Sequence, residues 1–267
     1  MIEDCTLLIN TYDGGEDIWE GFFKALSIQW PEVEMNIIMN TESKRYEFPG
    51  FDIKTLGLYE YGVKVEWGKR MIDTLKKIDT EYVLCMLEDF WLEDKVDNER
   101  FIKCLDNIRS NKDVACFYFQ PVLDENNIND ERFEGFVRRP QKGNYRFNCQ
   151  IALWRKEKLL HFIRAHESAW AWELYGSIRS QRYKDGIYTA KNGDRLIFPY
   201  KKDNGAMIRR GMWVKANVIP LQERYELDID YSKRGFIEDY LNSNTLIERR
   251  CIKDRIKNRI SLFRSLL

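Results

Sequence analysis

Two carboxylates, Glu88 and Asp89, stand side by side directly after the apolar run Glu81-Tyr82-Val83-Leu84-Cys85-Met86-Leu87. A short, continuous apolar run suits a strand buried on both faces, as inside a parallel sheet covered by helices. The acidic pair then falls at the strand's carboxyl end, where open α/β sheets bind ligands. Buried charge without a partner is costly. The pair therefore calls for a cation, or else it is an acidic turn facing solvent. The chemistry on offer is a divalent metal ion holding a phosphorylated donor.

Other chemistries are poorly supplied. His161 and His166 are the only histidines, so catalysis by a histidine cluster is nearly excluded. The 6 cysteines are scattered and form no Cys-x-x-Cys pair. They read as buried free thiols in a reducing compartment, not as a zinc site or disulfide framework. The 43 basic residues balance 43 acidic ones, so no global field points to nucleic acid. The 8 Trp and 14 Tyr, beyond their share of the core, offer flat surfaces to sugars and bases. No signal-like block opens the chain, and no apolar run nears the ~20 residues of a membrane span. A soluble, cytoplasmic protein is expected.

The elements that position the pair read as alternating strands and helices. Cys5 to Thr11 forms a strand that ends in the flexible Tyr12-Asp13-Gly14-Gly15. A helix carrying Ile18, Phe22 and Leu26 follows, and Pro31 stops it. Met35 to Met39, closing on Asn40-Thr41, is a second strand, and Phe51 to Leu56 a third. A helix over Val63 to Ile78 then leads into the Glu81–Leu87 strand. Asn98 to Ser110 is helical, and Val114 to Phe119, Arg132 to Arg138 and Cys149 to Trp154 read as strands. Helices are expected over Lys156 to Ala165 and from Glu167 onward, and the tail from Phe236 reads as helical. Such alternation predicts an α/β fold with a mainly parallel central sheet sandwiched by helices. Gly-x-Gly-x-x-Gly and Gly-Lys-Ser/Thr phosphate cradles are both absent, which makes a cation the natural way to neutralise phosphate.

Five stretches carry a family resemblance: Asn10-Thr11-Tyr12-Asp13, Trp67-Gly68-Lys69-Arg70, Glu81 through Phe90, Gln150 through Arg155, and Glu167 through Glu173. In this order and spacing the chain resembles bacterial glycosyltransferases of the GT-A fold, of the surface-polysaccharide type. The match spans roughly residues 5 to 215. The resemblance implies a nucleotide-sugar donor, a Mg²⁺ or Mn²⁺ ion on its diphosphate, and inverting transfer to the hydroxyl of a saccharide or lipid-linked saccharide. The family's metal motif maps onto Asp89 first and Glu88 second. Here the sequence departs from Asp-x-Asp, because Phe90 and Trp91 follow, and this puts metal dependence in question.

An acceptor hydroxyl needs a base, and with so few histidines a carboxylate is expected. Glu173, on a helical stretch with Trp170 and Trp172 just before it, has apolar surroundings that raise a carboxyl pKa. The competing reading pairs it with a basic residue on a solvated face. Glu167 is the second candidate. The resemblance puts the nucleotide near Thr11, Tyr12, Asp13, Asn40, Lys69 and Arg70, although ordinary turn and surface roles account for these as well. Arg209 and Arg210 can clamp the diphosphate or form structural ion pairs. Trp170 and Trp172 can stack on acceptor sugars, whereas Trp154 reads as core.

A division into residues 1–225, carrying donor and acceptor sites, and a helical extension over 226–267 is expected. Residues 248–267 form a basic amphipathic pattern, suited either to the inner face of an anionic membrane or to packing on the body. Two rival functions remain. A nucleotidyltransferase would carry a glycine- and basic-rich loop after its first strand, where Tyr12-Asp13-Gly14-Gly15-Glu16 is acidic. A non-catalytic carbohydrate-binding protein would account for the tryptophans but calls for all-β patterning.

Overall fold

The apolar run before Glu88 forms a strand in the interior of a mixed sheet. The computed structural model describes residues 2–200, 206–238 and 265. Its main sheet comprises β1 (Cys5–Asn10), β2 (Asn36–Met39), β3 (Ile53–Thr55), β4 (Tyr82–Leu87), β5 (Val114–Tyr118), β6 (Ile128–Asn129), β7 (Phe136–Arg138), β8 (Ala152–Arg155) and β9 (Gly186–Ala190). Their spatial order is β3-β2-β1-β4-β8-β5-β9-β7-β6. The helices are α1 (Glu16–Gln29), α2 (Trp67–Leu75), α3 (Asn98–Ser110), α4 (Lys156–Phe162), α5 (Ala169–Ala171), α6 (Ser177–Ser180) and α7 (Lys215–Tyr225). A π-helical turn, Trp172–Gly176, joins α5 to α6.

Successive side chains of a strand point to opposite faces, and the central strands use both. Leu7, Ile9, Leu84 and Met86 pack with Phe22 of α1 and Leu105 of α3. Leu8 and Val83 pack on the other face with Met71 of α2, Leu159 of α4 and Trp172. The α/β sandwich is therefore present, but the sheet is less parallel than its apolar pattern predicts. β3-β2-β1-β4 and β5-β9 are parallel. β8 runs antiparallel to both β4 and β5, and β7 and β6 add antiparallel edges. An apolar run carries no information about strand direction, so the reversal of β8 leaves no trace in it.

A small second sheet holds β10 (Ile208–Arg209), β11 (Met212–Val214) and β12 (Phe236–Ile237). Arg210 and Gly211 connect β10 to β11 with φ of 50° and 79°. Positive φ at both central residues marks the tight hairpin turn whose twist matches its strands. β12 corrects the expectation of a helix from Phe236, because Phe236 pairs with Trp213 in a parallel ladder. Arg234 also grips Asp17, with Nη2 to Oδ1 at 2.6 Å and Nε to Oδ2 at 2.7 Å. Residues 226–238 are thus tied to the same body as α1. The rest of the expected extension, 239–264 and 266–267, lies outside the described residues, as does nearly all of the basic amphipathic pattern. Among the described residues no helix is long and apolar enough to cross a membrane.

Candidate active site

The turn after β4 sends its two carboxylates to different places. Glu88 is buried and accepts a hydrogen bond from the Thr11 hydroxyl. Thr11 Oγ1 in turn accepts from Trp19 Nε1 at 2.7 Å. Gly15 makes room for this arrangement, since a Cβ there would stand 2.9 Å from Glu88 Oε1. Burial, and after it the Asp89 charge, pushes the Glu88 carboxyl well above the ordinary carboxylate range, while Thr11 and Arg70 pull it back. The turn is pinned from behind by Trp91. Its Nε1 donates to Glu88 O at 3.2 Å, and its ring fills the space where a Cβ on Gly21 of α1 would lie 2.1 Å away.

Asp89 faces the other way, into a cleft of about 1020 Å³. Its backbone carbonyl accepts from Met207 N at 2.8 Å, which brings the β10–β11 hairpin to the rim. Burial raises the Asp89 pKa as well. Its Oδ1 is buried and finds no hydrogen-bond partner among the described residues. An orphaned acceptor of this kind requires an explanation, and a hard cation that keeps waters and substrate oxygens as its other ligands fits it. Among the described residues no three His, Cys, Asp or Glu side chains converge. The protein's share of such a site is therefore a single carboxylate, Asp89, with Glu88 turned away.

Glu173 lines the same cleft from the π-helical turn. π-turns are rare and recur at functional sites. The turn sets Glu173 against the strip Asn148-Cys149-Gln150 that precedes β8, and Cys149 N donates to Glu173 Oε1 at 2.8 Å. Burial raises the Glu173 pKa, and the hydrogen bonds from Cys149 oppose it. Arg209, Arg210 and Trp170 complete the wall, and the Trp170 ring is 81% exposed. Asp89, Glu173, Arg209, Arg210 and Trp170 thus line one cleft. Gln150 opens one of the stretches that carry the resemblance but was given no role at the site, and Asn148 and Cys149 were missed, because nothing in their residue types announces a site.

The remaining candidates form a second cluster, at the end of β1. Thr11 N donates to Asn40 Oδ1 at 2.6 Å, and Asn40 Nδ2 donates to Asn10 Oδ1 at 2.9 Å, so Asn40 staples the ends of β1 and β2. The Asp13 carboxylate accepts from Glu42 N, Ser43 N, Ser43 Oγ and Lys44 N, and is fully engaged in shaping the 42–44 loop. Arg70 is buried and pairs with Glu42. Tyr12 keeps an exposed ring beside this cluster. Lys69 sits on a solvated face with Asp73.

Two assignments are corrected. Glu167 is completely buried, with its oxygens on Arg179 Nη1 and Nη2 at 2.5 and 2.8 Å, and it does not line the cleft. It is a structural ion pair, not a base. Trp172 is 2% exposed and stacks on Phe147 at 5.3 Å, so it belongs to the core and offers no acceptor platform.

No family model matches the chain, and no curated protein matches it. Among solved structures it is similar to S. aureus TarS 1-349 in complex with UDP-GlcNAc, at 11% identity and a TM-score of 0.48. That likeness covers 75% of this chain and 59% of the other. The mannosyltransferase PcManGT from Pyrobaculum calidifontis, in complex with GDP-Man and Mn²⁺, is similar at 10% identity and a TM-score of 0.48, over 78% of this chain and 58% of that one. An LgtC active-site mutant is similar at 14% identity and a TM-score of 0.35, over 58% and 59%. The chain spans about three fifths of the length of each.

Proposed function

We propose that this chain is a metal-assisted, inverting glycosyltransferase. It moves a sugar from a nucleotide-diphosphate sugar to a hydroxyl of a saccharide or lipid-linked saccharide in bacterial polysaccharide synthesis. The observation that carries this reading is the pairing, across one cleft, of Asp89 with its unspent oxygen and Glu173 with its raised pKa. Two carboxylates in different surroundings can hold different tasks.

In this reading Glu173 takes the proton from the acceptor hydroxyl as that oxygen attacks the sugar carbon. Its raised pKa brings it closer to the pH at which a base is effective, and the Cys149 N–H holds its Oε1 in place at the cleft wall. The sugar–phosphate bond breaks and leaves negative charge on the diphosphate. Arg209, at the end of β10, and Arg210, in the turn that follows it, line the cleft and are suited to meet that charge. A Mg²⁺ or Mn²⁺ ion on Asp89 would neutralise the same oxygens. Trp170 offers its exposed face to an acceptor ring. The nucleotide is proposed on the Tyr12 side of the acidic turn, near Arg70.

A thermal-shift screen of UDP-, GDP-, CMP- and dTDP-sugars, with and without Mn²⁺, tests the reading. At least one nucleotide sugar is expected to raise the melting temperature in a Mn²⁺-dependent way that Asp89→Asn abolishes. A flat response across the whole panel overturns it.

A further inference from the structure

Behind the main cleft lies a chamber of about 30 Å³, and Leu87, Asn148, Cys149 and Gln150 line both spaces. The proposed mechanism leaves this chamber unused. Its wall is mostly apolar, with Trp67, Met71, Met86, Trp154 and Leu159 among its residues. The volume is about twice the ~10–15 Å³ that one water requires.

The polar capacity of this wall is lopsided. The Asn148 side chain is 8% exposed and its orientation is fixed, because its Oδ1 accepts from Gln150 N at 3.0 Å. That leaves Nδ2 as the free end, buried and without a hydrogen-bond partner among the described residues. Trp67 Nε1 is buried and unpartnered as well. The oxygens on the wall are, by contrast, engaged. Asn10 Oδ1 accepts from Asn40, Gln150 Oε1 from the Tyr200 hydroxyl, and Asn148 Oδ1 from Gln150. A buried donor left unmet costs about 1–3 kcal/mol, so the chamber asks for an acceptor oxygen.

The surroundings narrow the kind of oxygen. No lysine or arginine lines the chamber, so a carboxylate or phosphate there would be desolvated without a counter-charge. A hydroxyl brings a proton of its own and would have to share an oxygen that already accepts one hydrogen bond. A carbonyl brings none, and a methyl group beside it would meet the apolar wall. The chamber also abuts Leu87, two residues before Asp89, the carboxylate proposed to hold the donor's metal ion.

We infer that this chamber receives the acylamino substituent of the transferred sugar, with Asn148 Nδ2 donating to its carbonyl oxygen. Asn148 is then the residue that selects an acetamido donor over its hydroxyl counterpart. The inference rests on the glycosyltransferase reading and adds a substrate class to it.

The test compares matched donors that differ only at this substituent: UDP-GlcNAc against UDP-glucose, and UDP-GalNAc against UDP-galactose. Affinity is read by calorimetry with Mn²⁺, and turnover by release of the nucleoside diphosphate. The wild-type protein is expected to favour the acetamido member of a pair at least tenfold. Asn148→Leu removes the donor and also the oxygen that accepts from Gln150 N, so both members can lose some activity; it is expected to bring the pair to parity by weakening the acetamido member the more, at least tenfold. The melting temperature of the variant reports that it is folded. Equal use of both members by the wild type, or a preference that survives in Asn148→Leu, overturns this inference alone. Failure to bind any member overturns the glycosyltransferase reading, and this inference with it.

Discussion

The main-chain N–H of Cys149 donates to Oε1 of Glu173 at 2.8 Å. One residue of the strip before β8 thus fixes a carboxylate carried on a separate helical segment. A backbone donor survives every substitution except proline, and Ser177 Oγ donates to Glu173 O at the end of the π-turn. The carboxylate is held by rigid elements, which is the arrangement that keeps a base within reach of its proton.

Glu173→Gln keeps the shape of the side chain and removes its basicity. Transfer is expected to fall by roughly 10²–10⁴-fold, with donor affinity and melting temperature unchanged. In the proposed mechanism the ionised form acts, so kcat should drop on the acid side. Because burial raises this pKa, the midpoint of the fall should lie above the ~4.3 of a free glutamate. Unimpaired turnover by Glu173→Gln removes the residue from the mechanism.

The acidic pair gives stability a pH dependence of definite sign. Glu88 and Asp89 have raised pKa values in the fold, so between the ordinary carboxylate range and neutrality the native state binds more protons than the unfolded chain. Stability must then fall as pH rises through that interval. The opposite influence of Asp130, held at about 2 by Arg132, acts at lower pH. Melting temperatures from about pH 5 to about pH 8 without divalent cations should decline, and Glu88→Gln should flatten the curve. A profile that rises over this interval contradicts the placement of the pair.

The place of the pair was legible because an unbroken apolar run ending in two acids says where the strand stops. Its division was not, since neighbouring residues on a turn diverge according to what packs there, here Thr11 and Gly15 on one side and the cleft on the other. Helix α3, Asn98–Ser110, was readable to the residue, with Phe101, Leu105 and Ile108 on one face and Asp97 capping Arg100 N. The reversed β8, the tight turn at Arg210-Gly211 and the π-turn were hidden. Strand direction, positive φ outside glycine and an extra helical residue are decided by tertiary contacts. Gly68 shows the converse. Its motif was recognised, but the reason is structural: a Cβ there would lie 2.0 Å from Arg164 O, where α2 presses on the 164–167 loop.

Glu167 and Glu173 stand six positions apart in sequence and should fail in opposite ways. Arg179 spends both terminal nitrogens on Glu167, and also donates to Phe162 O at 2.6 Å and Ser265 O at 2.7 Å. Removing one partner of a buried pair costs about 3–5 kcal/mol. Glu167→Ala is therefore expected to lower the urea midpoint sharply, with any residual folded protein retaining donor affinity. A Glu167→Ala protein of native stability that has lost turnover would return this residue to the catalytic role.

Trp170 and Trp172 make the last contrast. Two positions along a helix turn a side chain by about 200°, so one ring faces the cleft and the other enters the core. Trp172 packs among Phe147, Trp67 and Trp154, with ring centroids at 5.3, 5.5 and 6.2 Å. Trp172→Ala is expected to cost about 3–5 kcal/mol of stability. Trp170→Ala touches little of the fold and should change stability by no more than about 0.5 kcal/mol. If its ring stacks on the acceptor, the loss of an aromatic contact of about 0.5–1.5 kcal/mol raises the acceptor KM by roughly 2–12-fold and leaves donor affinity alone. Equal destabilisation by the two substitutions would mean that the Trp170 ring is buried as well, and unchanged acceptor kinetics in Trp170→Ala would place the acceptor elsewhere in the cleft.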